Sequence, residues 1–240
     1  MSEAIFVEGL TKAYGGKTVV DHLDLSVQSG TVFGLLGANG AGKSTTIECV
    51  CLAQSRPIAE RFVRWDRIRK GAAVRFLSAL TCSFRRAAII ERSGSPSFAR
   101  KPPVSTAPPP IGANCVRSSV SVIRHTAVKN LSGGERQRLF IVLALIGQPE
   151  LVFLDELTTG LDAKARRGVW KTLETLKEQG LTIFLTSHFM DEVEALCDEI
   201  CILKQGTPVF GGTVEQAKRQ CGRQRFEDAY LQLSSEEADA

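Results

Sequence analysis

The chain carries a glycine-rich segment whose residue types and spacing suit the binding of a phosphate group. It has the form G-x-x-x-x-G-K-[ST] and comprises Gly37, Ala38, Asn39, Gly40, Ala41, Gly42, Lys43, Ser44 and Thr45. The glycines let backbone N–H groups turn toward an anion, and the positive end of a following helix adds to the attraction. Lys43 would reach the β- and γ-phosphate oxygens of a nucleotide, and the Ser44 hydroxyl would ligate Mg²⁺. We therefore predict a nucleotide phosphate site at residues 37–45.

Two adjacent acids, Asp155 and Glu156, follow the apolar run at residues 151–154. The carboxyl ends of parallel strands meet at one edge of a sheet, so these acids would lie beside the phosphate loop if the two strands are neighbours. Asp155 would hold Mg²⁺, directly or through water, and Glu156 would polarise an attacking water as general base. The phosphate loop gives this interpretation its weight, because many strands end in acids.

A third motif, Leu-Ser-Gly-Gly-Glu-Arg-Gln, occupies residues 131–137 and opens a helix-like stretch. Ser132 is suited to cap that helix, and Gly133 and Gly134 leave the backbone bare for an anion. By these residue types alone, the motif predicts a second phosphate site.

The motif at residues 131–137, together with the upstream phosphate loop, resembles the signature of the ATP-binding cassette (ABC) ATPase family. The resemblance covers roughly residues 4–50 and 128–222, and it implies ATP and Mg²⁺ as cofactors. It also implies that Glu135 belongs to the nucleotide-binding signature element and that Tyr14 stacks on adenine. Asp162 would lie in a loop contacting a second subunit, and His188 would contact the γ-phosphate. Leu157 stands where this family usually has proline.

Family members pair head to tail, so that each nucleotide lies between the phosphate loop of one subunit and the signature element of the other. The resemblance therefore implies a homodimer or a paired cassette, bound to membrane permease subunits that it powers for solute transport. We expect export as the direction, no nucleic-acid partner, and a cytoplasmic location on the inner face of the cell membrane. A nucleotide-binding cassette that is defective in catalysis or coupling is the alternative.

The pattern of apolar segments predicts an α/β fold. We expect a P-loop NTPase (RecA-like) core with a parallel sheet and an N-terminal antiparallel β subdomain. The predicted strands lie at residues 5–7, 19–27, 31–37, 151–154, 182–186 and 200–203. One predicted helix begins at residue 42, and three others cover residues 132–147, 162–179 and 189–197. We assign residues 1–50 and 128–222 to the nucleotide-binding core and residues 223–240 to a C-terminal tail.

Residues 51–127 differ in composition from both flanks and occupy the place where the family has a helical subdomain. They contain 14 Lys and Arg residues but three acids, and six prolines fall within residues 96–110. Such prolines prevent a continuous helix. This stretch lacks the glutamine that in the family senses Mg²⁺ and the attacking water. Our hypothesis is that its codons are read out of frame; a basic nucleic-acid-binding insertion and a disordered surface insert are the alternatives.

The composition of the whole chain is that of a globular protein with a sizeable core. Its 240 residues are 43% hydrophobic, and no apolar run approaches the roughly 20 residues of a membrane-spanning helix. The seven cysteines form no C-x-x-C pair, so we expect reduced and mostly buried thiols.

Overall fold

The computed structural model describes residues 3–55, 74–78, 135, 137, 139, 141, 142, 145 and 149–235. The strands are β1 (Glu3–Tyr14), β2 (Lys17–Gln28), β3 (Val32–Gly37), β4 (Val74–Ser78), β5 (Leu151–Asp155), β6 (Thr182–Thr186), β7 (Glu199–Lys204) and β8 (Thr207–Gly212). The helices are α1 (Lys43–Ser55), α2 (Ala163–Glu178), α3 (Met190–Leu196), α4 (Val214–Cys221) and α5 (Phe226–Ser234). None of the helices in these ranges is long and apolar enough to cross a lipid bilayer.

A six-stranded sheet with the order β4-β5-β6-β3-β7-β8 forms the centre of the described structure. All neighbouring strands run parallel except β8, which pairs antiparallel with β7. Every residue of β3, β5 and β6 is buried, because these apolar strands are covered on both faces. The carboxyl ends of the parallel strands therefore meet at one edge, which is where the candidate site residues lie.

A separate two-stranded antiparallel sheet is formed by β1 and β2. Buried residues such as Val7 and Leu10 of β1 face buried residues of β2 such as Leu23 and Leu25, and together they join a cluster with Phe33 of β3. The N-terminal antiparallel unit that the sequence predicts is thus present, and its inner face packs into the same core as the parallel sheet.

The helices cover the sheet through apolar faces. In α2, Val169, Leu173 and Leu176 recur at helical spacing and are buried against the cluster that contains Ile183 of β6. The residues described within 135–145 are helical, and Ile141 belongs to the same cluster. These contacts confirm the predicted α/β architecture with a parallel core.

The structure contains elements that the sequence patterns did not predict. Residues 226–234, assigned to a C-terminal tail, form α5, whose Phe226 and Ala229 are fully buried with Leu36 and Ile202. This assignment of a tail is therefore wrong for α5. Within the compositionally distinct stretch, β4 pairs parallel with β5 and places Ser78 in register with Asp155. The rest of residues 56–134 lie outside the described residues.

Candidate functional site

The phosphate loop leaves the carboxyl end of β3 and enters α1. Ala38, Asn39 and Gly40 are exposed, whereas the following glycine, Gly42, is buried. Gly42 has φ +98°, and a Cβ there would lie 2.6 Å from the carbonyl oxygen of Val19. A residue with a side chain would therefore push the loop away from β2, so this loop conformation requires glycine at position 42.

Lys43 begins α1 and folds back over the loop. Its ammonium Nζ donates to the carbonyl oxygens of Gly37, at 2.7 Å, and Ala38, at 3.0 Å, and the residue is only 7% exposed. Burial lowers the pKa of this side chain, and the negative charges of Glu156 and Asp155 act in the opposite direction. A buried cation thus sits within the loop, and both acids are close enough to influence it.

The next residues connect the loop to the body of α1. The hydroxyl of Thr46 donates to the Gly42 carbonyl at 3.0 Å, and the backbone N–H of Thr46 donates to the same oxygen at 2.8 Å. Ser44 is exposed and Thr45 is half-buried, so the Ser44 hydroxyl is accessible to a ligand.

Asp155 and Glu156 end β5 at the same edge of the sheet. The buried Asp155 accepts a hydrogen bond of 2.5 Å from the hydroxyl of Thr186. Glu156 has φ +50°, and its N–H donates to the Thr186 carbonyl at 3.2 Å and to the Thr186 hydroxyl at 3.1 Å. The bend turns the chain after Asp155, so the two carboxylates occupy different positions.

The strand order differs from the simplest expectation, in which β3 and β5 are neighbours. β6 lies between them, so the strand that ends near His188 separates the phosphate loop from the acids. The Nε2 atom of His188 contacts the Oε1 atom of Glu156. Three neighbouring strands therefore bring Lys43, the two acids and the histidine to one edge.

The structure describes three further predicted site residues, which make other contacts than those between Lys43, the two acids and His188. Tyr14 is exposed at the end of β1, with the Lys12 ammonium 5.2 Å from its ring centroid. Asp162 is the N-cap of α2, and its carboxylate accepts from the Ala165 N–H at 2.8 Å. Glu135 is helical and half-buried.

The first part of the signature motif, Ser132, Gly133 and Gly134, lies outside the described residues. The helix that follows it is nevertheless connected to the site, because the side-chain amide of the buried Gln137 donates to the carbonyl oxygen of Leu157. Leu157, at the position where the family usually has proline, is itself buried.

Sequence reasoning missed two residues that hold this edge together. Thr186 bonds both Asp155 and Glu156, and its position at the end of a predicted strand was the available signal. Glu192, on α3, is a buried carboxylate that accepts from three side chains. A single acid in an amphipathic helix carries no such signal, since acids are common on solvated faces.

Comparison with known proteins assigns the family. The sequence profile described as "ABC transporter" matches residues 20–159. The Nod factor export ATP-binding protein I of Ralstonia nicotianae is 35% identical over 86% of this chain and 66% of its own length, and that of Cupriavidus metallidurans is 37% identical over 88% and 72%. The chain belongs to the ABC transporter family, as an ATP-binding subunit.

Other relatives support the same placement of this ABC subunit. The daunorubicin resistance ATP-binding protein of Streptomyces coeruleorubidus is 35% identical over 93% of this chain and 72% of its own length. The solved structure of an ATP binding subunit of an ABC transporter matches with a TM-score of 0.63 and 21% identity, over 96% of this chain and 99% of the other. At that identity the structural match shows the fold alone, and it agrees with the P-loop NTPase core.

The donors at the sheet edge of this ABC subunit fit a nucleotide phosphate with Mg²⁺. The glycine loop presents exposed backbone, and Lys43 supplies a positive charge beside it. Oxygen ligands are those that Mg²⁺ prefers, and the Ser44 hydroxyl and the Asp155 carboxylate are of that kind. The two groups come from opposite sides of β6.

Proposed function

We propose that this chain binds ATP with Mg²⁺ at the phosphate loop and hydrolyses it. The observation that supports this most strongly is the joint placement of Lys43, Asp155, Glu156 and His188 at one edge of the sheet. ABC ATP-binding proteins are generally ATPases, and the fold is theirs.

The residues divide the chemistry among them. The loop N–H groups and Lys43 bind and orient the phosphates. Ser44 and Asp155 would hold the Mg²⁺ ion, which would neutralise phosphate charge. Glu156 accepts the proton of the attacking water, and the contact with His188 fixes the direction in which its carboxylate points. Because phosphoryl transfer depends mainly on positioning and electrostatics, water is a sufficient nucleophile and no side chain needs to attack the phosphate.

The partners follow from the family. We propose that two cassettes pair head to tail, with residues 132–135 and Asp162 of one facing the nucleotide on the other, and with Tyr14 stacking on adenine. The pair would dock on membrane permease subunits at the inner face of the cell membrane and power solute transport. Relatives of this chain include Nod factor export ATP-binding proteins and a daunorubicin resistance ATP-binding protein, which favours export as the direction.

The test is ATP hydrolysis by the purified chain compared with two variants. Lys43→Ala should weaken nucleotide binding, because it removes the cation that the loop holds. Glu156→Gln should retain binding and reduce kcat by ~100-fold or more, because it removes the general base. A wild-type rate indistinguishable from that of Glu156→Gln would contradict hydrolysis and leave a cassette that binds nucleotide without turnover.

We further propose that residues 1–50 and 128–222 form the nucleotide-binding core and that the tail is confined to residues after α5. We also propose that the DNA encoding residues 51–127 is read out of frame. Translating the other two frames should reveal a strand ending in glutamine and an acidic helical stretch. If neither frame contains them, the reading-frame hypothesis is wrong.

A further inference from the structure

Glu192 has an environment that is unusual for a carboxylate. It lies in the first turn of α3, is only 3% exposed, and uses both of its oxygens as acceptors. Oε2 accepts from the Thr158 hydroxyl at 3.0 Å and from the Ser187 hydroxyl, and Oε1 accepts from the indole N–H of Trp170 at 3.0 Å. One side chain therefore joins α3, α2, the loop after β5 and the end of β6.

The two hydroxyl donors stand next to the proposed catalytic pair. Thr158 follows Glu156 by two residues, and Ser187 immediately precedes His188. The contact between Glu156 and His188 is thus accompanied by a second bridge, in which a single carboxylate oxygen receives a hydrogen bond from each of the two segments. A change in either segment would alter both bridges.

Backbone hydrogen bonds around Thr158 and Ser187 orient the two hydroxyls toward Glu192. The N–H of Thr159 donates to the Glu156 carbonyl at 3.1 Å, which places Thr158 inside a turn. The hydroxyl of Ser187 accepts from the Phe189 N–H at 3.0 Å, so its own hydrogen is directed to Glu192. If the acceptor on α3 were lost, each hydroxyl would lose the hydrogen bond that it donates.

Burial of this carboxylate is costly. Desolvation raises the pKa of Glu192, and the hydrogen bonds from Ser187, Thr158 and Trp170 and the positive charge of Arg166 oppose that rise. An apolar residue in the same place would avoid the desolvation but would leave the hydroxyls of Thr158 and Ser187 and the indole N–H of Trp170 without this acceptor. The carboxylate and its three donors therefore form one buried polar unit.

We propose that Glu192 is a positioning residue for hydrolysis, which holds the Glu156 loop and His188 at a fixed separation. This inference rests on the proposed ATPase function. Glu192 itself acts through Thr158 and Ser187.

The test compares Glu192→Gln with Glu194→Gln in the purified full chain. The glutamine has the same shape but only one acceptor oxygen, so in either orientation its amide nitrogen faces donors, which are the two hydroxyls or the indole N–H of Trp170. We expect kcat for ATP to fall by ~10-fold, with nucleotide affinity changed less than ~2-fold, because misplacement of catalytic groups affects turnover more than binding. Glu194 lies on the same helix and pairs with Lys218 at the surface, so Glu194→Gln should leave both quantities unchanged.

Two further variants keep the test independent of the folding of Glu192→Gln. Ser187→Ala and Thr158→Val each remove one donor, and each should lower kcat by roughly 3-fold. Combining either with Glu192→Gln should lower kcat no further than Glu192→Gln alone, because the residues act as one unit. A purely structural role would instead lower the melting temperature while kcat per folded molecule stayed constant.

The outcomes separate the two proposals. A wild-type chain with no more turnover than Glu156→Gln overturns hydrolysis and this inference together. A wild-type chain that hydrolyses ATP, with Glu192→Gln and both hydroxyl variants equally active, overturns the positioning role and leaves the ATPase function intact.

Discussion

Burial shifts the pKa values of two ionisable side chains near the sheet edge in opposite directions. Burial lowers the pKa of Lys43 and raises the pKa of Glu192, since both lose solvation of the charged form. Each is compensated by fixed partners, the loop carbonyls in one case and three side-chain donors in the other. The site is therefore built from charges that the rest of the fold must hold in place.

The cysteine thiols provide a test of burial at single residues. Burial raises the pKa of the buried Cys201 to about 12, whereas Cys221 is partly exposed. Since the thiolate is the reactive form, at pH 8 iodoacetamide should modify Cys201 at least ~100-fold more slowly than Cys221. Mass spectrometry of digests after timed labelling measures this.

The pH dependence of the same reaction has a definite sign. The raised pKa means that the rate for Cys201 in the folded chain should continue to rise with pH toward 12, without levelling off near 9. In concentrated urea the difference between the cysteines should disappear. Equal labelling of Cys201 and Cys221 in the native protein at pH 8 would contradict the buried environment.

At the scale of elements, the turn between β7 and β8 supports the phosphate loop. The Gly206 N–H donates to the Ala41 carbonyl at 3.1 Å, and the Asp21 N–H donates to the Gly206 carbonyl at 2.9 Å. Gly206 has φ +87°, and a Cβ there would lie 2.4 Å from the carbonyl oxygen of Val19. The turn thus connects β2 to the loop with no room for a side chain.

Gly206→Ala should therefore be strongly destabilising. Gly180 has a similar φ of +91° but open space around it, so Gly180→Ala isolates the backbone strain, about 1 kcal/mol. Gly206→Ala adds a steric clash and should cost roughly 2 kcal/mol more. Urea unfolding of both variants gives the comparison, and equal losses would mean that the turn does not pack against β2 as described.

Asp162 shows that a residue in a family motif can also serve a helix. Its carboxylate caps α2 at the Ala165 N–H, so Asp162→Ala should lower the free energy of unfolding by about 1 kcal/mol. Asp162→Asn keeps an acceptor oxygen and should be close to wild type in stability. If Asp162→Asn nevertheless lowers ATPase activity, the charge has a role beyond the cap; equal stability of Asp162→Ala and wild type would argue against the cap.

The elements differ in how far their sequences reveal them. The strands β3, β5 and β6 are continuous apolar runs, and the phosphate loop has a spacing with a direct chemical reason, so both could be predicted. β8 contains Pro208 and ends in two glycines, and β4 is five residues within an arginine-rich stretch, so neither shows a clear strand pattern. β8 pairs with β7 and β4 pairs with β5, and a local sequence pattern does not predict such pairing.

At the scale of the whole molecule, the same limit applies to the C-terminal segment and to the Glu192 bridge. Both depend on residues distant in sequence that meet only in the folded chain: Phe226 with Leu36, and Thr158 with Ser187. Motifs therefore predicted which residues could do chemistry, while the residues that hold them became visible only through packing.

Helix α5 packs into the core of the described structure. Phe226 is fully buried in the cluster with Leu36 and Ile202, so Phe226→Ala should destabilise the whole domain by about 3–5 kcal/mol. Leu231, on the same helix, is 58% exposed, and Leu231→Ala should change stability by less than about 0.5 kcal/mol. Thermal and urea unfolding of the two variants measure this. A loss confined to α5, with the rest unfolding as in wild type, would show instead that the helix is an appendage, because a shared core must unfold as one unit.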